Sequence, residues 1–563
     1  MGGYWDRFSA ARIGRRRFLS RAAAAGGSAA LLLAGCSGSS STSTVSDVEG
    51  RTASPSEPDV LNPAGPPRRG GRFVTANAAS LGTFDPHLGI AVASAYFPRV
   101  YNVLVNQSAT KPEFLYHDLA ESYEIVDELT YVFQLRPGVT IGPNDLDVPE
   151  RDLDAEDVRV SLERISSTPN AVNYSFASEH IDSVRVDGSA VTVRTTAPYA
   201  WFLNRIGQFT NSIAPRELLT GNLDRLAAQA AGAGPFRLTD ARESESAKFD
   251  RNPNYYRTDP ENNGAQLPYV DGLDVLVIFD RATQRTAFET DQVHLLMTGS
   301  GEEARALSDA VIARDPFFAY VSFTMNPTRP PFTDPRVRRA ISLAIDRQRF
   351  VDVVYGGDAQ ADGLVQWSLG AYALPPDELA RLQPYDPEEA KRIVKEVGGI
   401  RIKMMYPANT PILEHSSHLP IFIEQLRAAD IDVDEDPLEF TTWIDDYLNM
   451  RYDCSLALNQ TYETPELPLA FHLEGGPFGD QKYVRGLGDP DIEAAVAKVS
   501  RTLGFEERVE AVHEAQRVIY EKAPMMLPLV TPYNHLAYRP QVKNIPAGIG
   551  TSGYFINTFW MDV

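Results

Sequence analysis

The chain has 563 residues, with 75 Asp and Glu against 53 Lys and Arg and a formal net charge of −22 at pH 7. So acidic a balance excludes an ordinary nucleic-acid binder, which needs a basic face to meet phosphates. Cys36 and Cys454 are the only cysteines, too few for a disulfide framework, so stability has to come from buried core.

The first element is an export signal. Arg15-Arg16-Arg17-Phe18-Leu19 precedes an uncharged run at residues 22–33 and then Leu33-Ala34-Gly35-Cys36. A basic start, an apolar stretch too short to span a bilayer and a small-residue cleavage site make up such a signal. The arginines with Phe18-Leu19 resemble a twin-arginine signal, and the last four residues resemble a lipobox, in which the Cys36 thiol is lipidated and becomes the new N-terminus. The expected mature protein is tethered outside the cytoplasm, in the periplasm or on the outer face of the cell membrane, by acyl chains that anchor it stably. Removal of residues 1–35 leaves 47 basic against 74 acidic residues, a charge of −27. No later run of eighteen apolar residues follows, so the lipid is the only expected membrane element.

Residues 36–70 are rich in Ser, Thr, Pro and Gly and read as a flexible linker. The remainder is longer than one hydrophobic core serves, so at least two lobes are expected. Asp154-Ala155-Glu156-Asp157 opens a helix with Val158, Leu162 and Ile165 on one face. In residues 184–193, Asp187-Gly188 supplies a positive-φ turn between two alternating strands. Asp334-Pro335, Asp386-Pro387 and Asp489-Pro490 each place a capping carboxylate before a proline at the first helical position. After Asp386-Pro387, Ala390, Ile393, Val394 and Val397 keep helical spacing and Gly398 ends the helix. Cys454 falls in an apolar, strand-like run and reads as a small core hydrophobe. The pattern gives mixed α/β lobes.

Catalytic signals are few. The sequence has no Gly-x-Ser-x-Gly elbow, His-Glu-x-x-His zinc motif or Gly-x-x-x-x-Gly-Lys phosphate loop. His415 and His418 are the one close histidine pair, but no cysteine accompanies them; they read as surface or packing residues in a loop leading into a helix at Leu419. No catalytic residue, metal or cofactor is expected.

A series of ordered segments then identifies a resemblance. They include Gly70-Gly71-Arg72-Phe73-Val74, Thr83-Phe84-Asp85-Pro86, Leu119-Ala120-Glu121-Ser122-Tyr123, Gly234-Pro235-Phe236, Pro268-Tyr269-Val270-Asp271-Gly272, Asp334-Pro335-Arg336-Val337-Arg338-Arg339-Ala340 and Ala523-Pro524-Met525-Met526-Leu527-Pro528. In this order they resemble the peptide/nickel-type solute-binding proteins of ABC importers, the family of dipeptide- and oligopeptide-binding lipoproteins. The resemblance implies an α/β periplasmic-binding-protein fold of two hinged lobes, with an extra subdomain and a ligand cleft between the lobes. It places lobe I at 71–103, 208–279 and 529–563, the extra subdomain at 104–207 and lobe II at 280–528. Hinge strands would cross near Phe279 and Leu529.

The same resemblance implies the site. Residues 90–96, with Ala91, Val92 and Tyr96, would line lobe I; Tyr174 would approach from the subdomain, and Phe323, Asn326 and Trp367 would line lobe II. The segment Asn459-Gln460-Thr461-Tyr462-Glu463 resembles one in which peptide binders carry an Asp where Thr461 stands, to hold the ligand's α-ammonium. Either Glu463 takes over that role or the solute has no free amine there, because a buried ammonium needs a counter-ion. The basic residues that some oligopeptide binders direct at the ligand's carboxylate have no match, and Leu456 stands at one of those places. The implied function is capture of a small solute, a peptide-like compound, sugar or chelate, by a monomer that delivers it to an ABC permease and its ATPase subunits. Alternatives are a ligand-sensing receptor of the same fold, or a secreted lipoprotein enzyme using an acid pair such as Asp445-Asp446 or Glu463 with Glu466.

Overall fold

The computed structural model describes residues 60–563 except 79, 90–95, 108–114, 222, 299, 317–318, 409–414, 461–463, 475–485, 487 and 547–557. Its main sheet has two ends joined by one strand. At one end, Arg72–Asn77 runs parallel to Gly272–Val277 and to Leu295–Thr298. Ser246–Arg251 and Phe236–Arg242 continue that edge antiparallel. At the other end, Ala319–Met325 pairs with Cys454–Gln460, then come Ile400–Pro407 and Ile431–Leu438.

Met526–Tyr538 belongs to both ends. Its first residues pair with Ala319–Met325, its middle with Ala359–Ala361 and its last with Val311–Pro316 and Leu295–Thr298. A strand covered on both faces loses the usual alternation of buried and exposed positions. Here Tyr533 alone, near the middle, is not fully buried. Leu529 lies on this strand, and its carbonyl accepts from the Asp362 amide at 3.2 Å. Phe279 is 60% exposed, and the segments that follow it, Leu295–Thr298 and Val311–Pro316, still pair with the end containing Arg72–Asn77 or with the last residues of the shared strand.

A separate four-stranded antiparallel sheet is formed by Ala120–Asp127, Thr130–Leu135, Ala190–Thr195 and Ile181–Asp187. The Asp187-Gly188 turn is as the sequence suggests: Asp187 faces Ala190 and Gly188 has φ +59°. Helix Ala155–Ser167 packs on this sheet through Val158, Leu162 and Ile165. Asp154 accepts from the Glu156 and Asp157 amides while Asp157 accepts from the Asp154 amide, a reciprocal cap. The same helix reaches the Asp85-Pro86 turn: Arg164 pairs with Asp85 at 2.6 Å and lies 2.6 Å from His87 Nδ1. Burial, with Arg164 adding to it, keeps His87 neutral with its pKa down at about 4.

The other sequence signals are realised with the expected bonds. Asp334, Asp386 and Asp489 cap Pro335–Leu343, Pro387–Glu396 and Pro490–Arg501, each accepting from a first-turn amide. Helix Pro387–Glu396 stops just before Gly398, at φ +84°. Gly234 has no room for a side chain, since a Cβ there would sit 2.6 Å from the Val100 carbonyl carbon. Cys454 is fully buried. The histidine pair departs from expectation: helix His415–Ala428 already includes both, with Pro420 inside it. His418 is buried, its ring 5.2 Å from Tyr355 and 6.1 Å from Phe350.

One core gathers around Val321, Phe323, Ile341, Phe350, Phe422 and Leu527. A larger one joins the four-stranded sheet to helices Pro490–Arg501 and Phe505–Glu521. At that junction the Trp201 ring meets Tyr372 edge-on at 5.2 Å, with Arg508 over the Trp201 ring. Arg338 is buried and donates to the Ala523, Phe332 and Lys522 carbonyls, the supporting role expected for a cation inside the fold.

Candidate ligand-binding site

The sequence-derived site residues fall into different environments. Tyr96 is buried, and its hydroxyl accepts from Asn77 Nδ2 at 2.8 Å, at the carboxyl end of Arg72–Asn77. Its ring lies 6.0 Å from that of Phe249. Tyr174 begins the helix Tyr174–His180 and is partly buried against the large core. Phe323 is enclosed, with its ring 4.8 Å from Phe422, because its strand is covered on both faces. Asn326 is also buried: its amide nitrogen donates to the Tyr452 carbonyl at 3.0 Å, and its Oδ1 accepts from Thr328. That bonding fixes a turn at the strand's end. Ala91, Val92, Thr461, Tyr462 and Glu463 lie outside the described residues.

Trp367 is partly exposed and sits beside the shared strand, its ring 5.1 Å from that of Tyr533. Gln360 Nε2 donates to the Tyr533 hydroxyl at 2.6 Å, and the Arg314 guanidinium lies 3.6 Å from the ring centroid. Arg314 also pairs with Asp358 at 3.1 Å. Sequence reading missed this cluster, apart from Trp367. Tyr533, Arg314 and Gln360 are far apart along the chain, and pairing with the shared strand brings them together.

Two carboxyls are buried, Asp362 beside the shared strand and Glu466 beside Tyr199. Asp362 Oδ1 accepts from the Gly363 and Trp367 amides, each at 3.0 Å, and Thr531 donates to Oδ2. Burial, which outweighs those bonds, pushes the Asp362 pKa up to about 7. Glu466 accepts from the Tyr199 hydroxyl and, at 3.5 Å, from Ser500, and burial pushes it up to about 7. Of the acids weighed for catalysis, Asp445 and Asp446 both pair with Arg451. Among the described residues no group of three or more His, Cys, Asp or Glu is placed to hold a metal ion. No described helix is long and apolar enough to cross a membrane.

Arg99 and the buried Arg347 both keep two guanidinium nitrogens without a hydrogen-bond partner. Arg99 stands one turn after Tyr96, with its guanidinium carbon 5.1 Å from the Tyr96 ring centroid and 5.5 Å from that of Phe249. Its Nε and Nη1 are closed off from solvent and have no hydrogen-bond partner. Burial draws its pKa below the usual arginine value.

One strand shared by two sheet ends, each with its own helices, is the architecture of a two-lobed α/β binding protein. Residues 115–473 match the model of bacterial extracellular solute-binding proteins, family 5 (middle region), and the chain belongs to that family. It is 26% identical to di/tripeptide-binding protein 2 of Pseudomonas aeruginosa, over 76% of this chain and 82% of that protein. It is 25% identical to the probable ABC transporter periplasmic-binding protein SapA of Escherichia coli, over 86% of this chain and 92% of that protein. Among solved structures, the periplasmic binding protein DppA of Helicobacter pylori in complex with the peptide STSA superposes with a TM-score of 0.70 at 21% identity, covering 88% of this chain and 99% of that one. The chain is thus an extracytoplasmic solute-binding protein, of a family and with relatives that bind rather than transform.

Proposed function

We propose that the protein captures a peptide or peptide-like solute between its lobes and hands it to a membrane permease powered by separate ATPase subunits, without bond chemistry of its own. The observation that carries this is family membership together with the two-ended sheet. A single continuous strand lets two rigid halves rotate while its own hydrogen bonds persist. Solute contacts made on both halves favour the closed state only by the difference in affinity between closed and open forms.

In this reading the hinge comprises the middle of Met526–Tyr538. The Trp367–Tyr533 pair then lines the hinge side of the cleft, where rigid aromatic surface gives contact with little loss of side-chain freedom. Tyr96, Tyr174 and segments 90–95 and 461–463 complete the site, with Glu463 as the candidate counter-ion for a solute amine. Phe323 and Asn326 act from behind it, as packing and turn residues. Cys36 carries the lipid that tethers a monomer outside the cytoplasm.

Native mass spectrometry of the purified protein, before and after refolding, tests this. A small peptide released intact and stoichiometrically is the expected result. Release of a chemically altered product, or no binding to any di-, tri- or oligopeptide by calorimetry, would refute the reading. A Cys36→Ser variant should lose acylation and membrane association.

A further inference from the structure

We propose that residues 199–201 form a latch, carried by the four-stranded subdomain, that docks on Glu466, Ser500 and Tyr372 of the other lobe when the protein closes and comes away from them when it opens. This rests on the solute-binding reading and gives the closed state a second junction, apart from the shared strand.

The two sides of the junction belong to different ends of the main sheet. The subdomain is fixed to the end containing Arg72–Asn77: Tyr256 and Arg257, which follow Ser246–Arg251, donate to Asp118 just before Ala120–Asp127, and Arg164 pairs with Asp85. Glu466 opens the helix Glu466–Ala470, which follows Cys454–Gln460 at the opposite end. Arg338 ties the close of Phe505–Glu521 to that same end through the Lys522 and Ala523 carbonyls.

Three successive residues bridge these bodies. The Tyr199 hydroxyl donates to Glu466, the Ala200 amide donates to the Ser500 carbonyl at 2.8 Å, and the Trp201 ring meets Tyr372 edge-on. Their chemistry suits a contact that opens. Interfaces between domains that move are more polar than permanent cores, and this one shuts in a carboxylic acid and the Trp201 indole N–H, which has no hydrogen-bond partner. Opening returns water to both groups and recovers what their desolvation costs.

The latch also couples closing to proton uptake. Inside the junction the Glu466 pKa is pushed up to about 7, because burial outweighs the bonds from Tyr199 and Ser500 and the pull of Arg205. Behind Tyr199 stand Glu179 and His180, the His180 ring stacked on that of Tyr199 at 4.0 Å. Burial keeps His180, and His472 just past the helix, neutral with pKa values down at about 4, and Tyr199 stays protonated. On the helices, Lys498 and Glu514 pair with each other. Once the junction opens, the Glu466 carboxyl meets water and returns to the ordinary 4.5. An acid with a higher pKa in the closed form favours closing while protonated, so the contribution is full below pH 4.5 and is lost as pH rises through about 7.

The test is amide hydrogen exchange of the full chain in detergent at pH 5 and pH 8, read by mass spectrometry and corrected for the intrinsic pH dependence of exchange. Without solute, residues 199–201 should exchange through openings that leave Met526–Tyr538 protected, and in wild type these should be about tenfold or more frequent at pH 8 than at pH 5. Glu466→Gln, which keeps an acceptor for Tyr199, should open equally at both pH values, and Tyr199→Phe should open more often than wild type at pH 5. Exchange of 199–201 only together with Met526–Tyr538 would reveal a permanent interface and overturn the proposal. So would a pH dependence absent from wild type or retained in Glu466→Gln. Tetra-alanine that binds by calorimetry should slow the exchange of 199–201, and binding that leaves it untouched would also overturn the latch. Failure of tetra-alanine to bind counts against the peptide reading alone, and the exchange of the unliganded protein then decides the latch.

Discussion

Asp362 offers a quantitative test of how the shared strand is held. Its carboxyl is buried, bonded to Thr531 of that strand and to the Trp367 amide, and its pKa is displaced from the ordinary 3.8 to about 7. An acid whose pKa is higher in the folded protein favours folding while protonated. Its contribution is full below pH 3.8 and is lost as pH rises through about 7. At roughly 1.4 kcal/mol per pH unit, the displacement corresponds to about 4 kcal/mol. Asp362→Asn keeps an acceptor for the Gly363 and Trp367 amides, and its Nδ2 can donate to Thr531 once that hydroxyl turns, so the titration is removed and the bonding retained. Urea unfolding of wild type and variant at several pH values between 4 and 8.5 isolates the effect, because titrations common to both cancel. The variant should match wild type near pH 4 and exceed it by several kcal/mol at pH 8. Parallel stability curves, or a variant weaker than wild type at pH 8, would refute the assignment of a shut-in acid at this position.

Other consequences follow from the packing. Arg338→Met should destabilise the protein by about 3 kcal/mol or more, since three carbonyls lose their donor, as unfolding midpoints would register. Trp201→Ala should cost about 3 to 5 kcal/mol by opening the contact with Tyr372 and Arg508, measured by calorimetric melting. Asp386→Ala should remove one helix cap and cost about 1 kcal/mol in the same assay. The Cys454 thiol, buried and with its pKa pushed well up, should resist thiol reagents in the native protein and react only on unfolding.

The site was legible in the sequence only in part. Tyr96 and Trp367 stand out by residue type within segments that resemble a known family, and the structure sets one against Asn77 and the other against Tyr533. Phe323 and Asn326 carry the same local appearance, yet one is sealed under Phe422 and the other holds a turn through Tyr452 and Thr328. The difference lies in which strand covers them, which residue type does not record. Arg99 looks like any basic residue in a short helix. Its guanidinium lies over the Tyr96 and Phe249 rings, and Phe249 stands on a strand distant in the chain.

Local features follow from short stretches of sequence. Each Asp-Pro start, the capping box at Asp154 and the Asp187-Gly188 turn depend on bonds within a few residues, so side-chain chemistry at fixed spacing specifies them. Composition and charge likewise excluded whole classes of function. Tertiary structure alone decided that Met526–Tyr538 binds both ends of the sheet, that Thr531 and Asp362 meet, and that Trp367, Tyr533 and Arg314 share one corner. Those contacts join segments separated by scores to hundreds of residues. Their formation rests on the burial and strand pairing of the whole chain, which no short window of sequence contains.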